Sequence, residues 1–70
     1  MMPVYLADPG EELVIKKVGG APEVKKHLED MGFTAGGSVT LISRLGGNII
    51  VRVKDSRVAL SRELAGRIMV

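Results

Sequence analysis

The sequence predicts a mainly β fold: a small barrel of five short strands with one inserted α-helix and a short helical turn near the C-terminus. Three observations predict it. Short β-branched runs such as "SVTLISRL" and "NIIVRVK" alternate apolar and polar residues, the period of a strand with one buried face. Only one segment changes to a helical period, with Val24, Leu28 and Met31 at i, i+4 and i+7. So few strands are too little for a sandwich, and a bent sheet that closes on itself leaves the fewest exposed edges.

In order along the chain, "LADPGEE" (6–12) is a turn, with Pro9-Gly10 suited to the middle of a type II turn. "LVIKKV" (13–18) follows as a strand; its buried face is open, because Leu13 and Ile15 oppose Val14 and Val18. The helix is expected at 21–31. Pro22 fits its first turn, and Glu23 complements the positive end of the helix dipole. Gly32 falls where a left-handed residue stops a helix, and Phe33 where a side chain folds back on the last turn. "SVTLISRL" and "NIIVRVK" then form a hairpin about Gly46-Gly47. A two-residue Gly46-Gly47 loop would set Leu41 against Arg52; pairing Leu41 with Val51 and Val39 with Val53 calls for an odd-length loop of about three or five residues. That register leaves Thr40, Ile42, Arg44, Ile50 and Arg52 on the outer face. A turn at Asp55-Ser56 leads into "RVALS" with Val58 and Leu60 inward; Ser61 caps a helical turn at 62–66, and "RIMV" ends the chain as a strand.

Seventy residues make one domain, 1–70, with no cysteine to staple it. At 46% hydrophobic and 3% aromatic, the core must be aliphatic. No apolar run approaches the roughly 20 residues of a membrane span, so no membrane insertion is expected. "MMPVYLADPG" lacks the basic start and long apolar segment of a secretion signal, so a cytoplasmic location is expected. Ten basic residues against eight acidic ones are nearly balanced, without the dense basic patch of a strong nucleic-acid binder.

Catalysis finds no support: Ser38, Ser43, Ser56 and Ser61 sit in turn, strand and cap contexts, with no histidine nearby. His27, the sole histidine, belongs at the edge of the helix's apolar face, half-exposed. With Asp30 it could supply two metal ligands, and Glu29 is close, but tight Fe(II) or Zn(II) binding wants three or four. No metal site or cofactor is therefore expected, beyond weak transition-metal binding. The glycine pairs are turns, not phosphate loops. Arg44 and Arg52 on one outer face suggest nucleic acid, yet Tyr5 and Phe33 are the only aromatics and Phe33 belongs to the core; no nucleic-acid partner is expected. A protein partner remains. Ile42 and Ile50, flanked by Arg44 and Arg52, make either an apolar centre with a charged rim or a seat for the N-terminal segment or the helix.

The ordered set "HLEDMGFTAGGSVTLI" and "GGNIIVRVKDSRVALSRELAGRIMV", after "LADPGEELVIKKVGG", resembles the FeoA family of ferrous-iron uptake systems, whose domain also closes some iron- or manganese-dependent repressors. The matching positions are Leu28, Met31, Gly32, Phe33 and Gly36, then Val58, Ala59, Leu60, Ala65, Ile68 and Val70. Ala35 and Asn48 stand where the family often has proline, and Asp55 where it often has glycine; aspartate tolerates positive φ better than most residues. The resemblance implies an SH3-like barrel and a small accessory protein that binds a membrane ferrous-iron permease carrying a GTPase domain. The rival classes are a nucleic-acid-binding barrel and a stand-alone transition-metal-binding domain akin to metalloregulator C-termini.

Overall fold

Residues 38–61 fold as an antiparallel meander on which the other segments are laid. In the computed structural model, which describes residues 1–70, these strands are β3 (Ser38–Leu45), β4 (Asn48–Val53) and β5 (Ser56–Ser61), numbered after two short N-terminal strands. Val39 faces Val53 and Leu41 faces Val51, the pairing that the burial pattern demands. Beyond Leu41 the register shifts, so that Ser43 faces Ile50, Arg44 faces Ile49 and Leu45 faces Asn48. The loop is therefore the two-residue Gly46-Gly47, not one of odd length. Ile42 is the extra residue, taken up as a β-bulge. Both demands are met at once: the valines face inward, and Gly46, at φ +61°, closes the tight turn.

The second correction concerns 13–18. The run is two strands, β1 (Glu12–Val14) and β2 (Lys17–Val18), so the molecule has six strands, the last being β6 (Ile68–Met69). β1 pairs with β3, whereas β2 pairs with β6, giving sheets of order β1-β3-β4-β5 and β2-β6. At the bend, Ile15 donates to Gly37 O at 2.8 Å and Lys16 donates to Met69 O at 2.7 Å, so consecutive residues bond to different sheets. Ile15 and Val18 are buried and Val14 is 55% exposed, a change of phase that a single straight strand cannot have.

The helix α1 (Pro22–Asp30) begins with Pro22 at its first position, and Leu28 on its inner face is wholly buried. Its end satisfies carbonyls of the last turn: Gly32 donates to Glu29 O at 2.9 Å and Phe33 to Leu28 O at 3.0 Å. This is the Schellman arrangement, with Gly32 at φ +105° and Phe33 turned into the core at 0% exposure. Gly36, at φ +90°, turns the chain into β3. The helical turn α2 (Arg62–Ala65) is capped by Ser61, whose Oγ accepts from the Leu64 N–H at 3.2 Å. Leu60 and Ala65 are buried, while Ala59 lies outward opposite Ile50.

The β4–β5 turn is Lys54-Asp55, one residue earlier than expected, and its positive φ (54°) falls on Lys54 rather than Asp55. A 3₁₀ turn, Val4–Leu6, follows a bridge between Pro3 and Met69, and Met2 and Val70 exchange two backbone bonds of 3.0 and 2.8 Å. Fifteen buried apolar residues form one cluster, in which Phe33 is the sole aromatic.

Candidate partner-binding surfaces

The outer face of the large sheet carries a polar row at right angles to its strands: Glu12 faces Thr40, Thr40 faces Arg52, and Arg52 faces Arg57. In the neighbouring row Ile50 lies between Ser43 and Ala59. Ile42 and Ile50 are half-buried, Arg52 and Arg57 exposed, and Thr40 is buried at 5% exposure. Three of the residues expected to share this face, Ile42, Ile50 and Arg52, are thus brought together. Arg44 is not. The bulge turns it over, so that it faces Ile49 and points toward the barrel's end. The missed cue is that glycine at both 46 and 47 is strong two-residue turn chemistry, which outweighs an unbroken ladder.

At that end Arg44 holds the 3₁₀ turn. Its Nε donates to Tyr5 O at 2.8 Å and its NH2 to Ala7 O at 2.7 Å. Beside it, Arg62 at the start of α2 stacks over the Tyr5 ring, with Cζ 5.0 Å from the centroid. Between the 3₁₀ turn and the β3–β4 hairpin lies a cleft of about 260 Å³. Tyr5 and Leu6 form one wall, Arg44, Ile49 and the Gly46-Gly47 loop the other, with Arg62 at the side. A shallower hollow adjoins it, lined by Tyr5, Arg62, Glu63, Gly66 and Arg67. Nothing in the residue pattern marks this cleft beyond one apolar residue at each turn, Leu6 and Leu45, which are 56% and 70% exposed.

His27 is exposed on α1, further out than the half-exposed position expected of it, and Glu29 and Asp30 are exposed as well. No three of the chain's histidine, aspartate and glutamate side chains converge as a metal-holding group. No helix is long and apolar enough to cross a membrane.

The sequence profile of the FeoA domain matches residues 2–70. The chain belongs to the FeoA family. A relative from Methanocaldococcus jannaschii, provisionally named Fe(2+) transport protein A, is 34% identical over 70 residues, spanning 100% of this chain and 85% of its own length. The crystal structure of an iron uptake regulatory protein (FeoA) superposes with a TM-score of 0.85 at 27% identity, over 94% of this chain and 89% of that one. Stenotrophomonas maltophilia FeoA, solved with zinc and described as an SH3 domain protein, superposes with a TM-score of 0.81 at 23% identity, over 99% and 87%. The small barrel that the residue pattern predicts is thus of the SH3-like kind that the resemblance implied, and the family match takes in both the outer face and the cleft.

Proposed function

We propose that this chain is an accessory, regulatory subunit of ferrous-iron uptake that works in the cytoplasm by binding the cytosolic portion of a membrane permease carrying a GTPase domain. One observation carries the reading: the FeoA match runs from residue 2 to 70, and a relative matched along the whole chain bears an iron-transport name. A barrel of this size acts on a larger machine by binding one of its conformations more tightly than another, which shifts their populations. The outer face around Ile42, Ile50 and Arg52 is the proposed contact, and Arg57 beside Arg52 extends its basic rim. In this reading the chain neither catalyses a reaction of its own nor carries a resident cofactor.

Capture by the purified cytosolic domain of the permease, run beside a salt-titrated RNA and DNA binding assay, tests this. Capture without oligonucleotide binding is the expected result. Steeply salt-dependent oligonucleotide binding without capture overturns the reading in favour of a nucleic-acid-binding barrel. Capture that survives both Ile50→Asp and Arg52→Glu keeps the function and refutes the surface.

A further inference from the structure

We propose that the cleft between the 3₁₀ turn and the β3–β4 hairpin binds a short acidic segment of a partner protein, with an aliphatic side chain between carboxylates. The inference rests on the docking reading in one respect only, that the partner is a protein.

The charge of the cleft points to the carboxylates. Its lining holds two guanidinium groups, Arg44 and Arg62, and no acidic residue. Arg44 is fixed before any ligand arrives, because two carbonyls of the 3₁₀ segment take its Nε and NH2 protons at 2.8 and 2.7 Å. Those bonds leave NH1 uncommitted and the positive charge unneutralised. A cation ordered in advance loses little freedom when an anion binds, and guanidinium suits a carboxylate better than an ammonium would.

The shape and the apolar surface point to an aliphatic side chain. Leu6, in the wall, is 56% exposed, while Ile49 opposite is buried at 3%. The volume of about 260 Å³ is below the ~300–1,000 Å³ of typical small-molecule sites. It suits a side chain of a peptide laid across the surface. Gly46 and Gly47 present no side chain there, and a Cβ built on either would touch nothing within 4 Å. The peptide backbone can therefore approach the hairpin loop closely.

The same arrangement disfavours nucleic acid, the other polyanion that two arginines could hold. Single-strand binders stack bases on aromatic faces. Tyr5 is the cleft's sole aromatic, and Arg62 already lies over its ring.

The test titrates the isotope-labelled chain with short, end-blocked peptides and follows backbone amide shifts by NMR. One peptide alternates glutamate with leucine; the others replace each glutamate by glutamine or by lysine. The glutamate peptide is expected to move the amides of Tyr5, Leu6, Arg44 to Ile49 and Arg62. The glutamine peptide should bind roughly tenfold more weakly, the size of one lost charge-assisted hydrogen bond. Arg62→Gln should weaken the glutamate peptide by a similar factor. Lys25→Gln, exposed on α1 and outside both surfaces, should not. Arg62 is the deciding variant because its side chain touches the 3₁₀ turn only by stacking on Tyr5, whereas Arg44 holds that segment by two hydrogen bonds. Equal binding of the lysine peptide, shifts that map elsewhere, or stronger shifts of the same amides by oligothymidylate would each overturn the proposal. No permease is used, so a failed titration leaves the docking reading standing, and a failed permease capture leaves the cleft to be judged by the peptides.

Discussion

Gly32 shows how one residue decides where an element ends. Its φ of +105° lies outside the range L side chains adopt readily, and both closing bonds of α1 depend on it. A methyl group there would meet the Lys54 Cδ and Val53 Cγ2 at 3.6 Å, an ordinary contact, so crowding is not the obstacle. Gly32→Ala should therefore cost roughly 1–2 kcal/mol through the backbone alone. Urea denaturation checks it; an unchanged midpoint would mean that the helix stops for another reason. His27 carries the opposite expectation. Exposed and without two further ligands, it should give Fe(II) or Zn(II) binding weaker than about micromolar. Anaerobic calorimetry decides this: a tight stoichiometric isotherm lost in His27→Ala would establish a site on α1.

Among the elements, those written in local chemistry were legible and those set by closure were not. The helix stop, the Ser61 cap and the inward valines of β3 and β4 follow from residues within a few positions of one another, and all three stand in the structure. The split of 13–18 does not, because nothing inside "LVIKKV" says that Gly37 and Met69 will claim neighbouring residues. The bulge at Ile42 fell between the two. Glycine pairing and inward valines each read correctly, but an unbroken ladder cannot satisfy both, and the reading gave up the turn where the molecule gives up the ladder. The consequence for function was large, since Arg44 moved from the supposed contact face into the wall of a cleft. Cross-strand NMR contacts test the register directly. Arg44 should touch Ile49, and Ser43 should touch Ile50; a Ser43–Ile49 pairing would restore the odd-length loop and return Arg44 to the outer face.

At the scale of the whole molecule, one aliphatic cluster with a single aromatic holds together both sheets and α1. A core of this size supplies only about 3–5 kcal/mol of net stability. Phe33 is wholly buried, and truncating such a ring costs about 3–5 kcal/mol. Phe33→Ala should therefore leave the chain largely unfolded at room temperature, seen as lost near-native circular dichroism and a collapsed denaturation transition. A cooperative transition near the parent midpoint would show that the core has more redundancy than its burial suggests.

The bonds that tie Met2 to Val70 also give the molecule a mechanical direction. The two ends lie side by side and run antiparallel, with Pro3 against Met69 behind them. Tension applied between the termini meets these contacts one after another and peels the closing strand away like the first teeth of a zipper. Tension applied to slide β3 along β4 would instead load six register pairs together. Force across the ends thus opens this barrel one contact at a time, whereas shear along its central hairpin is resisted by six pairs at once.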